Sequence, residues 1–195
     1  MNIVNVGYDS TNYYVIGSGG NRLLVDVGWP GTLGKLLANL KRKGIELAEI
    51  RNLLATHYHP DHAGLIQELK NKGVRLMVME RQGDAIPALK QWMKPEMHYL
   101  DIDVRDNTAV TLAESRPFLA KLGIAGEIVH TPGHSDDSVT LVLDTGDAFT
   151  GDLQSESRAD ESSIDTVKKS WEKIREMNTK TIHPGHGPSR PMPPA

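Results

Sequence analysis

The chain has 195 residues, no cysteine, and 22 Lys and Arg against 25 Asp and Glu, for a formal net charge of -3. That length suits one domain with a substantial core, and the charge balance, without a basic stripe, argues against a nucleic-acid partner. Without cysteine there is no disulfide, thiolate ligand or cysteine nucleophile, so any metal site must use His, Asp or Glu side chains, or backbone and water oxygens.

The opening residues, MNIVNVGYDS, lack the basic segment and apolar core of a secretory signal, and no run approaches eighteen apolar residues. A cytoplasmic protein with no membrane association is expected. Short β-rich runs come first: NIVNVGY, NYYVIGS and NRLLVDVG, separated by turn residues. Leu33, Leu36, Leu37 and Leu40 then recur at helical spacing, with Gly44 as a terminator. IRNLLAT reads as a buried strand running into a histidine cluster, HAGLIQELKNKG as an amphipathic helix and VRLMVME as a strand. RQGDAIPALKQWM is helical but interrupted by Pro87.

A helix ending at Gly123 follows, then three strands in GEIVHTPG, SVTLVLD and DAFTGD. Ile164, Val167, Trp171 and Ile174 give the next segment a buried stripe, with Ser162 or Ser163 as N-cap. A last strand, TKTIHPGHG, leads into a Pro-rich tail, 188–195, whose prolines oppose regular structure. Strands, then strand–helix alternation, then strands again suggest two mixed sheets with helices outside, an α+β arrangement, over residues 1–195 as a single domain.

ATHYHPDHAGL places His57, His59, Asp61 and His62 within six positions. At a strand end, residues i and i+2 point the same way, so His57 and His59 can face one ion and Tyr58 should point away. Asp61 and His62 fall at the start of a helix, where free N–H groups favour a carboxylate. Four ligands in so short a stretch exceed what one tetrahedral ion takes from one loop, which suggests two adjacent sites. Three further strand ends offer ligands: His134 in TPGHS, Asp152 in TGDL and His186 in HPGHG. A carboxylate has two oxygens, which makes Asp152 the natural bridge. His130 and His183 sit just before the Pro-Gly motifs and are read as packing or supporting residues. His98 is read as surface, Asp136 and Asp137 as turn or capping residues, Trp92 and Trp171 as core, and Trp29 as a candidate pocket wall.

Together, HYHPDH, TPGHS, GD and PGHG, preceded by Asp26 in LVDVG, resemble the five-motif signature of the metallo-β-lactamase superfamily, over nearly the whole chain. The resemblance implies a four-layer αββα sandwich with a dinuclear site at one edge. It implies His57, His59 and His134 on one metal, Asp61, His62 and His186 on the other, Asp152 bridging, and Asp26 orienting a ligand through a hydrogen bond. Two divalent ions are implied, zinc first, with iron or manganese as alternatives.

Two such ions lower the pKa of a shared water, and the resulting hydroxide attacks a carbonyl or phosphoryl centre, with Asp61 orienting it or relaying its proton. An acidic bridge with a full HxHxDH motif looks like the glyoxalase II, acyl-homoserine lactonase and phosphodiesterase branches. Glyoxalase II proteins carry a helical C-terminal extension, and only nine residues follow His186, so the expectation is a small hydrolase of an ester, thioester or lactone. The alternatives are a phosphodiesterase or β-lactamase-like hydrolase, a mononuclear iron persulfide dioxygenase, and a non-catalytic metal-binding protein. A small-molecule substrate is expected, with residues 81–118 covering it. Oligomeric state stays open, a homodimer included.

Overall fold

The structure is a computed structural model that describes residues 1–194. Six strands form one sheet in the order β1-β2-β3-β4-β5-β6. These are Ile3–Asn5, Tyr14–Ile16, Arg22–Val25, Ile50–Leu54, Arg75–Met79 and Thr108–Val110. The first two pairings are antiparallel, and β3 to β6 run parallel. The second sheet has the order β11-β10-β9-β8-β7. Its strands are β7 Gly126–His130, β8 Val139–Leu143, β9 Asp147–Gly151, β10 Thr181–Pro184 and β11 Arg190–Pro191.

Strand alternation sorts the apolar side chains into three layers. Tyr14, Ile16, Leu23, Val25, Leu54, Met77 and Met79 turn inward from the first sheet and meet Ile128, Leu141, Leu143 and Phe149 from the second. The alternate residues Val15, Leu24, Leu53, Leu76 and Val78 face outward under helices α1 (Leu33–Arg42) and α3 (Ile66–Lys70). Val142, Ala148 and Ile182 on the far face of the second sheet receive Val167, Trp171 and Ile174 from helix α6 (Ile164–Glu176). The result is the expected order of helix, sheet, sheet, helix.

Several expectations need correction. Residues 81–118 are not one covering segment. Only its first part, helix α4 (Ala85–Ala88) and two short 3-10 turns at Leu89–Trp92 and Pro95–Met97, lies outside the sheets. Thr108–Val110 completes the first sheet, and the helix expected before Gly123, α5 (Leu112–Lys121), inserts Leu119 into the inter-sheet layer. Thr111 opens α5 with a reciprocal capping box to Glu114. The tail is not wholly irregular, since Ile182 pairs with Arg190 and Thr181 with Pro191. The prolines are tolerated because β11 is an edge strand, where a missing N–H costs no ladder bond; Ala195 lies outside the described residues. Ser163 is the N-cap of α6 but makes no capping bond with its side chain; Asp160 Oδ1 instead accepts from the Ser162 and Ser163 amides at 3.0 and 2.9 Å. Trp171 is core as expected. Trp92 is not: it is 55% exposed.

The direction of the strands makes the site. Because β3 and β4 are parallel, their C-terminal ends share one edge. In the second sheet β7 and β9 both run antiparallel to β8, and β10 runs parallel to β9, so β7, β9 and β10 also end together. Asp26 and the stretch 55–62 follow β3 and β4; His134, Asp152 and His186 follow β7, β9 and β10.

Trp171 anchors the outer layer behind this edge: it is 1% exposed, and its Nε1–H donates to the Gln154 carbonyl at 2.8 Å. Trp171→Ala should lower the unfolding free energy in urea by about 3–5 kcal/mol. A loss below about 1 kcal/mol would show that α6 does not seal this face.

Candidate metal centre

His57 and His59 lie beyond the end of β4, in a loop rather than on the strand, so strand alternation is not what aims them. Backbone bonds from neighbouring loops hold them instead. The Tyr58 amide donates to Asp137 Oδ2 at 2.8 Å, and the Val139 amide donates to the Thr56 carbonyl at 2.8 Å. Helix α2 (Pro60–Ala63) then starts with Pro60 at its first position, which needs no N–H there, and Asp61 in its first turn. Tyr58 does turn away: it packs in the apolar layer under α1 and α3.

Asp26 stands at the base. Its backbone is left-handed, with φ 62°. Oδ1 accepts from the Thr56 amide at 2.6 Å, and Oδ2 accepts from the Thr56 hydroxyl at 2.8 Å. The same Oδ2 lies 2.9 Å from His62 Nδ1. A carboxylate can only accept, so His62 Nδ1 carries the proton and Nε2 presents a lone pair. The Thr56 hydroxyl proton is committed to Asp26, so at 3.2 Å His57 Nδ1–H donates to Thr56 Oγ1, and His57 Nε2 is likewise free. His186 Nδ1–H donates to the Ser10 carbonyl at 2.7 Å, which turns its Nε2 toward Asp61 and Asp152. Each of these three imidazoles is thus locked in the tautomer a metal ligand needs.

The donor atoms converge. His134 Nε2 lies 3.0 Å from His59 Nδ1. Asp152 Oδ1 lies 3.3 Å from His62 Nε2, and Oδ2 lies 3.3 Å from His186 Nε2 and 3.7 Å from His134 Nε2. His186 Nε2 is 3.2 Å from Asp61 Oδ2, which also accepts from Thr11 Oγ1 at 3.1 Å. Three overlapping triads have ligand atoms within 4.8 Å of one another: His57–His59–His134, His57–His62–Asp152 and Asp61–His62–His186. The atoms at the middle, His57 Nε2, His62 Nε2 and Asp152 Oδ1, are buried and have no hydrogen-bond partner. Orphaned donors and acceptors are costly in a protein interior, and a cation is what three converging lone-pair donors would satisfy. Nitrogen and carboxylate donors without thiolate suit zinc, iron or manganese.

Electrostatics agree with that reading. Burial, reinforced by the surrounding imidazoles, holds His57 well below the ordinary histidine range. Burial also holds His134 down. Burial opposes charge on His62, yet the Asp26 and Asp152 carboxylates outweigh it and push the ring up to about 10. Without a cation, these carboxylates favour a second proton on His62 Nε2; a bound cation would take that proton's place and use the Nε2 lone pair. Burial raises Asp152, but the nearby imidazoles, His62 at 3.3 Å first, outweigh it and hold the carboxyl below its ordinary range.

Two glycines give the centre its room. A Cβ on Gly185 would strike Asp152 Oδ1 and the His62 ring, and a Cβ on Gly151, at φ 51°, would strike Thr56. Two positioning residues have little signal in the sequence. Gln82 is fully buried, and its Nε2 donates to the Ala55 carbonyl at 2.9 Å, tying the start of the covering segment to the histidine loop. Trp92 stands with its ring 5.7 Å from that of His59. His130 and His183 lie outside the centre, as expected: His130 Nε2 bonds the Asp136 carbonyl, and His183 bridges Asp147 and Ser189. Trp29 is half-exposed on the loop after β3.

Asp26→Asn keeps the size and the left-handed backbone preference but sets an amide N–H against Thr56 or His62. It should weaken zinc binding by about 10–100-fold in a competition titration while leaving the circular dichroism spectrum unchanged. Unchanged zinc affinity would show that Asp26 does not set the His62 tautomer.

Comparison with known proteins agrees with this geometry. The profile of the metallo-beta-lactamase superfamily matches residues 6–186. The chain is 31% identical over 191 residues to a beta-lactamase-like protein 2 homolog of Drosophila melanogaster, covering 91% of this chain and 58% of that protein. It is 27% identical over 184 residues to an atrochrysone carboxyl ACP thioesterase of Aspergillus fumigatus, covering 91% of this chain and 50% of that protein. The chain thus spans between half and three fifths of the length of these relatives. Among solved structures, a metallo-beta-lactamase family protein of Thermus thermophilus superposes with a TM-score of 0.74 at 18% identity, covering 98% of this chain and 74% of that one. A subclass B3 metallo-beta-lactamase of Bradyrhizobium japonicum gives 0.67 at 22% identity, covering 95% and 75%. The layered sheets, the histidine and carboxylate triads at their shared edge and the profile match over residues 6–186 place this chain in the metallo-beta-lactamase superfamily.

Proposed function

We propose that the chain is a metal-dependent hydrolase that cleaves an ester, thioester or lactone in a small-molecule substrate. The observation that carries this reading is the trio of buried, unpartnered atoms, His57 Nε2, His62 Nε2 and Asp152 Oδ1, at the meeting point of three ligand triads. Two divalent ions, zinc by preference, would be held by His57, His59 and His134 on one side and Asp61, His62 and His186 on the other. Asp152 would be shared, since its two oxygens face ligands of both groups. When bound, such ions supply Lewis acidity and lower the pKa of a water.

The side chains divide the remaining work. Asp61 is partly open to solvent, and Thr11 and His186 hold its Oδ2 at 3.1 and 3.2 Å, so it can orient an attacking water and take its proton. The half-exposed His134 and His186 line the open side of the centre, from which substrate enters. Trp92, beside His59, offers an apolar face to an acyl group. No serine or cysteine nucleophile is required, so no covalent acyl-enzyme is expected. The name of the Aspergillus fumigatus thioesterase supports the thioester member of the substrate class. No helix among the described residues is long and apolar enough to cross a membrane.

Elemental analysis beside a panel of esters, thioesters, lactones and phosphodiesters tests the proposal. Wild type should hold about two zinc equivalents and hydrolyse at least one carbonyl ester class. His59→Ala should lose metal and roughly a hundredfold or more in kcat/KM together, since it removes a ligand. Full two-metal loading of that variant would mean the ligand set is wrong, and one iron per chain with oxygen uptake would replace hydrolysis by oxygenation. Trp92→Ala should raise KM severalfold for esters with large acyl groups and leave kcat near wild type. An equal effect on acetyl and aromatic esters would remove Trp92 from the substrate wall.

A further inference from the structure

A cavity of about 690 Å³ opens directly on the centre, lined on one side by His134, Asp152 and His186. Its other walls come from two segments that the metal chemistry does not use. One is the stretch after Asp152, ending in a short 3-10 turn at Glu156–Arg158. The other is the edge strand β11, whose Arg190 pairs with Ile182. Each segment contributes one arginine to the cavity, Arg158 and Arg190.

Neither guanidinium meets a carboxylate among the described residues, as is also true of Arg42, Arg51, Arg75 and Arg81; Arg158 and Arg190 differ from those in lining the cavity on the centre. The two acidic residues nearest Arg158 in sequence are engaged elsewhere: Glu156 is bound to Arg175 at 2.7 Å, and Asp160 Oδ1 accepts from the Ser162 and Ser163 amides. The only carboxylate lining this cavity among the described residues is Asp152, which is engaged with the imidazoles of the centre. Gln154, Ser155 and Ser157 supply further hydrogen-bond donors on the same wall. A chain whose net charge is -3 thus presents a locally positive, donor-rich wall beside its metal centre. Arginine forks of this kind match carboxylate and phosphate oxygens in a bidentate way.

We propose that Arg158 and Arg190 form an anion subsite, and that the substrate is an acyl compound carrying a carboxylate or phosphate at the end remote from the bond that is cleaved. This deepens the hydrolase reading and rests on it for the word substrate, while the subsite itself is a binding claim. The cavity volume falls in the range of small-molecule sites, large enough for an acyl group at the centre and an anionic arm against the arginines.

Two parallel measurements separate the claims. In the first, zinc-loaded protein is titrated calorimetrically with three amides that cannot be turned over as thioesters: N-butyryl-ethanolamine, N-butyryl-β-alanine and N-butyryl-aminoethyl phosphate. Wild type should bind the carboxylate or the phosphate amide roughly tenfold or more tightly than the neutral one. The tighter of the two identifies the anion, and added salt should reduce the preference. Arg158→Ala and Arg190→Ala should each lose about tenfold for the anionic probe and less than about twofold for the neutral one, and Arg→Lys should recover part of the loss. In the second, the corresponding butyryl thioesters of mercaptoethanol, 3-mercaptopropionate and mercaptoethyl phosphate are assayed for hydrolysis, and kcat/KM should follow the same order. Selective anion binding without cleavage of any thioester would remove thioesters from the proposed substrate class and leave the subsite standing. Equal affinity for neutral and anionic probes, or arginine variants that bind like wild type, would overturn the subsite, even if all three thioesters are hydrolysed. Both arginines are exposed, so unchanged melting temperatures should accompany every variant.

Discussion

One carboxylate organises the centre. Asp26 is buried, adopts a left-handed backbone and commits its two oxygens to the Thr56 amide, the Thr56 hydroxyl and His62 Nδ1. Those contacts decide two tautomers at once, because the Thr56 hydroxyl, once committed to Asp26, can only accept from His57. Both imidazoles then turn their Nε2 atoms inward, where no hydrogen-bond partner meets them. In a close-packed interior such atoms are costly, and three of them, Asp152 Oδ1 included, converging on one point is an arrangement a cation would satisfy.

The sheets place that carboxylate where it can act. Two parallel strands in the first sheet and three like-directed strands in the second bring five loop starts to one edge. The loops are then lashed to one another: the Val27 amide donates to the His62 carbonyl at 2.9 Å, the Gly185 amide to the Gly151 carbonyl at 2.7 Å, and the Asn12 amide to the Gly185 carbonyl at 2.7 Å. Ligands from the two halves of the chain are thus held by backbone, with side chains free for chemistry. Gly151 and Gly185 keep this approach close, since a side chain on either would push into Thr56 or into Asp152 and His62.

Much of this was readable in the sequence, for physical reasons. Period-2 runs such as NRLLVDVG and SVTLVLD carry the inter-sheet pattern directly, and the residues gathered at the centre, from His57 to His186, sit in turn-rich strings that have little other use for so many imidazoles. What escaped is tertiary in origin. Trp92 looks like core because aromatic residues usually are, and only the path of the covering segment leaves it open beside His59. Gln82 is one polar residue in an ordinary RQGD, and its role depends on which carbonyls the fold brings near it. The edge strand inside 81–118 was hidden because TAV is too short to show alternation, whereas the helix before Gly123 was legible and its capping box starts it despite Pro117 inside. Arg190 lies in a tail whose prolines read as irregular, yet an edge strand tolerates them and so carries the arginine to the cavity.

The proposed function rests on this edge holding two cations with Asp152 between them. Anomalous diffraction at the zinc edge from crystals of the zinc-loaded protein tests it most directly. The account predicts two peaks about 3.5–4 Å apart, one among His57, His59 and His134, the other among Asp61, His62 and His186, with Asp152 contacting both. A single peak, or zinc bound away from His57 Nε2 and His62 Nε2, would contradict it.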